Sequence, residues 1–216
     1  MLLVDNSVAV VVPALNESES IEGVVNQIKR HALPIVVDDG STDGTGAIAR
    51  AAGAQVVTHL ANLGYERALC SGISIAEKLG YRFVITFDAD GQHQERTLVD
   101  FINHLKMGFD IVVGRRDQMQ RFGEVVYSLV SRCFWKIRDP LCGIKGFSIE
   151  AVAGVNERYP FDSIGSKYTI DPIRRGLKFV EVAVETRMRL GQARIGPNFT
   201  VNLKILSVIL KVLLVR

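Results

Sequence analysis

The chain has 216 residues, of which 48% are hydrophobic and 23% charged, with 6 Pro and 3 Cys. That length suits one domain of ordinary size, and the composition excludes a disordered tail or a collagen-like fibre. The formal net charge of +3 is unevenly spread, since residues 174–216 hold nine Lys/Arg against two Asp/Glu. The cysteines, Cys70, Cys133 and Cys142, are odd in number and lack C-x-x-C spacing. This excludes a disulfide framework, argues against a zinc site and points to a reducing, cytoplasmic setting. All three read as small core residues.

The N-terminus is apolar, but Asp5 interrupts it, no basic segment precedes it and Pro13 follows, so it is expected to form a first strand and not an export signal. From there to residue 116, β-rich runs at 8–12, 35–37, 55–58, 83–87 and 111–113 alternate with helical-period segments at 18–31, 45–52, 67–79 and 97–106. Gly53 and Gly80 are placed to stop two of the helices. The alternation predicts an α/β domain with a mostly parallel central sheet, helices on both faces, and a ligand beyond the carboxyl ends of the strands. Polar residues cluster at that rim: Asn16-Glu17 after the first strand, Asp38-Asp39-Gly40-Ser41 after the second, Asn62-Leu63-Gly64 after the third and Asp88-Ala89-Asp90-Gly91 after the fourth. Beyond residue 116 the pattern loosens into a helix at 125–135, with Phe134 and Trp135 as packing residues, a loop over 139–146 and a strand at 179–184. The apolar run 203–215 is too short to cross a bilayer, as ~13 helical residues rise ~20 Å against a hydrocarbon core of ~30 Å. Lys204, Ser207 and Lys211 form one polar stripe on it. An amphipathic helix follows, lying in a membrane interface, on the core or on a partner. The basic C-terminal stretch lacks interleaved aromatics, which argues against nucleic acid. The expected organisation is a catalytic domain over 1–200 and a terminal helix over 201–216.

Asp88 and Asp90 flank one small residue, so in extended chain both carboxylates point to one side and can converge on a hard cation, Mg²⁺ or Mn²⁺. The same residues also serve in a plain strand-end turn. Asp38 and Asp39 end an apolar strand, Gly40 permits a tight turn and Asp43 is placed as a helix cap before Gly44-Thr45. A carboxylate there could accept from the N–H of a nucleobase. His93 suits a loop hydrogen bond, a phosphate contact or a place beside a metal. Neither G-x-G-x-x-G nor a P-loop is present, which removes the usual support for dinucleotide redox chemistry and Walker-type phosphate binding.

Together, Pro13-Ala14-Leu15-Asn16-Glu17, the run from Val37-Asp38-Asp39-Gly40 to Asp43-Gly44-Thr45, Asn62-Leu63-Gly64 and Asp88-Ala89-Asp90-Gly91-Gln92-His93 resemble the inverting family 2 glycosyltransferases of the GT-A fold. Order and spacing agree over residues 8–116. Within that family the chain is similar to the polyprenyl-phosphate sugar transferases of the dolichol-phosphate mannose synthase type. The resemblance implies a single Rossmann-like GT-A domain with the nucleotide held by Pro13, Leu15, Glu17, Val37 and Asp39, and Mg²⁺ or Mn²⁺ held by Asp88, Asp90 and Gln92. Arg116 then stands near the diphosphate. Further along, Asp139 to Phe147 matches a family Asp followed by Gly-Phe-Arg, with Lys145 in place of the arginine. Arg187 or Arg189 with residues 191–196 resembles a basic family loop in which Arg194 replaces lysine. Where the family tends to place an acid, this chain has Lys167, with Asp162 and Asp171 as nearby substitutes.

What the resemblance implies is inverting transfer of a sugar from a UDP- or GDP-sugar to a polyprenyl phosphate, by a cytoplasmic enzyme peripheral to an anionic membrane surface. Asp90, Arg116 and Asp171 are then the catalytic candidates, while Asp88 and Arg194 add to donor binding. No nucleic-acid partner is expected, and a homo-oligomer or a membrane-protein partner stays open. Three other readings remain: a soluble family 2 enzyme using a hydroxyl acceptor, a nucleotide-sugar-binding module without turnover, and phosphoryl transfer through an aspartyl nucleophile. The last needs its Asp-x-Asp on a first strand, and here the motif follows the fourth.

Overall fold

The computed structural model describes residues 6–117, 119, 121–185 and 198–215. Strands β1 (Val8–Ala14), β2 (Leu33–Asp38), β3 (Gln55–Thr58), β4 (Phe83–Thr86) and β5 (Ile111–Arg116) alternate with helices α1 (Ile21–Ile28), α2 (Thr45–Ala51), α3 (Tyr65–Lys78) and α4 (Glu95–Lys106). The second half supplies α5 (Phe122–Trp135), β6 (Lys145–Ser148), the short α6 (Ile149–Val152) and α7 (Val155–Arg158), then α8 (Lys167–Arg174), β7 (Phe179–Val184) and α9 (Asn198–Leu214). Gly53 and Gly80 follow α2 and α3 at positive φ, as helix-stopping glycines do.

One seven-stranded sheet runs in the order β3-β2-β1-β4-β6-β5-β7. All of it is parallel except β6, which pairs antiparallel with β4 (Phe83 opposite Ser148, Thr86 opposite Lys145) and with β5 (Ile111 opposite Phe147). The sequence expectation of a loop over 139–146 therefore gives way at its end to a central strand. Lys145-Gly146-Phe147-Ser148 has no apolar alternation, and its strand form comes from hydrogen bonding to neighbours on both sides, a tertiary effect. The chain leaves β1 toward β2 on one side and β4 on the other. This makes the carboxyl ends of β1, β2 and β4 the switch point at which open α/β sheets bind ligands.

Strand periodicity divides β1 between two cores. Val8, Val10 and Val12 pack with Ile21, Val25 and Ile28 of α1 and Leu98 and Phe101 of α4. Ala9 and Val11 pack toward Ala68, Leu69 and Ile73 of α3, in a core that also holds Tyr127 and Trp135 of α5 and Ile205, Val208, Ile209 and Val212 of α9. Residues 201–214 thus pack against the same core as the rest of the chain. Phe134 and Cys133 were expected to pack inside, yet both are exposed, because they fall on the outward face of α5.

Gly72 sets how closely α3 lies on the sheet, since a Cβ there would stand 2.2 Å from Val11 Cγ1. Gly72→Ala is therefore expected to cost about 1–3 kcal/mol by overpacking despite the better helix propensity of alanine. Urea denaturation checks this, and adding Val11→Ala should recover part of the loss.

Candidate active site

The loops after β1 and β2 are laced together. Asn16 N–H donates to Ser41 Oγ (2.8 Å), Glu17 N–H to Thr45 Oγ1 (2.7 Å) and Thr42 N–H to Asn16 Oδ1 (2.8 Å). Asp43 accepts from the Ser18 N–H and from both the N–H and hydroxyl of Thr45. It caps the start of α2 two residues on, while Gly44 occupies the cap position itself. Burial opposes the charge of Asp43, but the hydrogen bonds from Thr45 and Ser18 outweigh it and bring the carboxyl down to about 2. Ser20 Oγ ties this lattice to the β4 loop by donating to Ala89 O (2.7 Å) and Glu17 Oε2 (3.1 Å).

Asp39 is buried at the end of β2. Its Oδ1 meets His59 Nδ1 at 2.6 Å and the Leu63 N–H at 2.9 Å, and its Oδ2 accepts from the Gly64 N–H at 2.8 Å. His59 Nε2 continues to Ser71 Oγ at 3.0 Å. Acid, imidazole and hydroxyl thus stand in the order of a hydrolase triad. Ser71, however, lies inside α3, where helix bonding occupies the backbone N–H groups an oxyanion hole would need. The relay is a strut that holds the Asn62-Leu63-Gly64 turn against β2. Of the other expected nucleotide contacts, Pro13, Leu15 and Glu17 line the end of β1, with Glu17 buried, whereas the Val37 side chain is sealed in the α3-side core. Its backbone lies between β1 and β3, opposite Pro13 and Val57, so the structure does not present Val37 to a ligand.

Asp88, Asp90 and Gln92 all lie in the turn after β4. Asp88 Oδ2 meets His93 Nε2 at 2.9 Å, and Asp90 Oδ1 accepts from the Gln92 N–H at 3.1 Å. Burial would raise the pKa of Asp88, yet His93, Lys145 and Arg116 hold it below the usual carboxylate range. An ionised Asp88 makes Nε2 the protonated nitrogen of His93, and Nδ1 is buried without a hydrogen-bond partner. Gly143 presses against this carboxylate so closely that a Cβ would lie 2.0 Å from Asp88 Oδ2. Among the described residues no group of three or more His, Cys, Asp or Glu side chains gathers around a point. The donor set is two carboxylates and one amide. Hard oxygen donors of this kind suit Mg²⁺ or Mn²⁺ sharing its remaining positions with water or phosphate.

Arg116 ends β5 and forks onto Asp139, with Nε to Oδ2 at 2.8 Å and Nη2 to Oδ1 at 3.0 Å, and Glu124 stands 3.5 Å away. Asp139 is buried, so the guanidinium keeps its charge, is oriented by its acids and is pushed above its ordinary pKa against the opposing effect of burial. Lys145 lies buried close by, its Nζ 3.5 Å from Gly165 O. Burial lowers its pKa against the pull of Cys142, Asp139 and Asp88.

The structure does not bring Asp171 to this rim. Its oxygens meet Arg158 (2.7 and 2.8 Å) and Arg175 (3.0 Å), which also donate to the carbonyls of Ala153 and Ala151. Those carbonyls follow β6, whose antiparallel course ends beside the start of β4, at the far edge from Asp88. Asp162 is half-exposed and paired with Lys204 at 2.7 Å. Lys167, the base where an acid was sought, is buried on Glu66 at 2.7 Å, and Glu66 Oε2 accepts from Ser163 N–H and Oγ and from the Gly165 N–H. Neither Glu66 nor His59 was singled out from the sequence; each sits in a segment of helical or loop character with nothing to mark its distant partner. Arg194, with Arg187 and Arg189, lies outside the described residues.

Residues 9–152, more than half of the chain, match the family described as Glycosyl transferase family 2, and the chain belongs to that family. It is 29% identical over 93% of its length to an uncharacterized protein of Methanocaldococcus jannaschii, 90% of which is covered. It is 26% identical over 89% of its length to the dolichyl-phosphate hexose transferase of Haloferax volcanii, 88% of which is covered. Other relatives are longer, and the chain spans 60% of four of them. In structure it is similar to the glucosyl-3-phosphoglycerate synthase of Mycobacterium tuberculosis, with TM-score 0.74 and 22% identity over 96% of this chain and 80% of the other. That protein was solved with Mn²⁺, uridine diphosphate and glucosyl-3-phosphoglycerate. The likeness shows the GT-A fold expected from the sequence.

Two outcomes are expected from the paired charges. Because Asp43 titrates lower in the folded than in the unfolded chain, its contacts stabilise the protein fully above about pH 4 and cease to do so as pH falls toward about 2. Asp43→Asn should therefore lower stability to urea at neutral pH, with the deficit vanishing in strong acid. Lys167→Met strands Glu66 in the interior and should cost about 3–5 kcal/mol, most of it recovered by the double change with Glu66→Gln. Equilibrium unfolding of the single and double variants measures both values.

Proposed function

We propose that the chain transfers a sugar, with inversion, from a UDP- or GDP-sugar to a polyprenyl phosphate at the cytoplasmic face of a membrane, with Mg²⁺ or Mn²⁺ as cofactor. The observation that supports this reading is that Asp39 after β2 and Asp88 and Asp90 after β4 lie on one carboxyl edge of the sheet, at the switch point of a family 2 chain. Asp39, already oriented by His59, Leu63 and Gly64, retains a lone pair for a base N–H. Pro13, Leu15 and Glu17 would wall the nucleoside. Asp88, Asp90 and Gln92 would hold the cation, which when bound neutralises charge developing on the departing diphosphate. Arg116, kept charged and fixed by Asp139, and Arg194 supply positive charge to the same phosphates.

The acceptor is argued from acidity. A hydroxyl nucleophile needs a positioned base, whereas a phosphate monoester is already an anion at neutral pH. Asp162 and Asp171, the acids sought for that work, are each engaged by cations. This favours an acceptor that brings its own negative charge, in keeping with the dolichyl-phosphate hexose transferase among the relatives. The phosphate oxygen attacks the anomeric carbon, the bond to the nucleotide diphosphate breaks on the opposite face, and configuration inverts.

Incubation with Mg²⁺, polyprenyl phosphate and a panel of radiolabelled UDP- and GDP-sugars, followed by lipid extraction, tests the reading. Label is expected in the lipid phase with one donor class, falling on the order of 100-fold or more in Asp90→Asn. Transfer to hydroxyl acceptors alone would overturn the lipid acceptor, and full activity in the presence of chelator would overturn the cation.

A further inference from the structure

A carboxylate offers about four lone-pair sites, two on each oxygen, and at Asp39 the fold fills three of them. Oδ1 takes the Leu63 N–H at 2.9 Å and His59 Nδ1 at 2.6 Å, while Oδ2 takes the Gly64 N–H at 2.8 Å. Both oxygens accept from main-chain N–H groups, so the hydrogen-bond pattern assigns a proton to His59 Nδ1 and leaves Nε2 to face the Ser71 hydroxyl at 3.0 Å. Every donor is held by something other than Asp39. Gly64 N–H also reaches Asn62 Oδ1 at 2.9 Å, the N–H of His59 is fixed on Asp38 O at 2.9 Å, and Ser71 lies in the body of α3. With the Asp39 side chain only 5% exposed, the carboxylate presents no free two-oxygen edge. What remains is one site, on Oδ2.

That single site separates the two donor bases left open above. Guanine presents two donors side by side, N1–H and the 2-amino group, and a carboxylate takes such a pair as it takes an arginine fork, one donor on each oxygen. On Asp39 one of the two would meet Oδ1, where Leu63 and His59 already stand. Uracil presents one imide N–H between two carbonyls, and one acceptor satisfies it. We propose that His59, by filling the last site on Asp39 Oδ1, makes the donor cleft select a uracil nucleotide over a guanine nucleotide. Leu63 and Gly64 donate through the main chain, so His59 is the one donor of the three that a substitution removes. It acts through Asp39 and touches no reacting atom, which makes it a positioning residue. UDP-sugar is then the donor in the transfer proposed above, and this choice rests on that transfer's use of Asp39 as the base contact.

The test is calorimetry of nucleoside monophosphates on the full chain, with neither metal nor acceptor added. UMP is expected to bind about tenfold or more tightly than GMP, because the guanine amino group would be buried without an acceptor. IMP, a purine with the N1–H but no 2-amino group, is expected to bind more tightly than GMP. His59→Leu frees a site on Oδ1 and should shrink the UMP-to-GMP affinity ratio by about fivefold or more, whereas His59→Asn, whose amide can place an N–H where Nδ1 stands, should restore it. Loosened packing alone would weaken all three ligands alike and leave the ratio unmoved, so the ratio is the readout. Circular dichroism verifies that the variants fold, and if they do not, the order of UMP, IMP and GMP on the parent chain still decides. GMP bound as tightly as UMP, a ratio unchanged in His59→Leu, or IMP bound no better than GMP, which would assign the preference to ring size, would each overturn the proposal. Guanine preference together with label transferred from a GDP-sugar would overturn it and leave sugar transfer standing. No binding of any monophosphate and no label in lipid would sink the transfer reading itself, and the choice of base with it.

Discussion

An ion taken from water into a protein costs several kcal/mol unless an opposite charge or a set of N–H donors takes the place of its hydration, and the upper rim and flank of this sheet bury many ions. Three of them have a partner held on a different element. Asp39 of β2 meets His59 after β3, Arg116 of β5 meets Asp139 ahead of β6, and Glu66 of α3 meets Lys167 of α8. Such pairs do little for net stability against apolar substitutes. What they do is specify which loop lies against which, and so they set the shape of the cleft.

The antiparallel insertion of β6 organises the other side of that cleft. By threading between β4 and β5, it lays Gly143 against Asp88 and buries Lys145 beside it. The same strand carries the chain to the far edge of the sheet, where Asp171 meets its arginines. A single reversal of direction therefore accounts both for the neighbours of the candidate cation site and for the absence of Asp171 from it.

Helix α5 joins the rim of the sheet to the C-terminal helix. Its first turn carries Glu124 against Arg116 and its body lies along α9, whose inner residues share the core with α3. Restraint from the core, more than helix propensity, keeps an outward apolar face in register with the site.

The amino-acid order by itself determined the α/β alternation, because hydrophobic period and glycine stops act within a few residues. It determined the rim clusters as well, because in a parallel sheet whatever follows a strand falls at the carboxyl edge, so Asp39, Asp88 and Asp90 were legible from their positions, while Gln92 was marked only by the family resemblance. Only the tertiary structure decided the rest. Lys145-Gly146-Phe147-Ser148 is a strand through its neighbours' hydrogen bonds, Val37 is hidden from the cleft by α3, and Lys167 is answered by a glutamate a hundred residues earlier. Residues 203–215 showed their two faces in sequence, but which face meets the core and which is left exposed depended on α5 lying beside them. Local period is written in short stretches of chain, whereas the pairing of a buried charge and the covering of an apolar face depend on contacts between segments far apart, which no local pattern encodes.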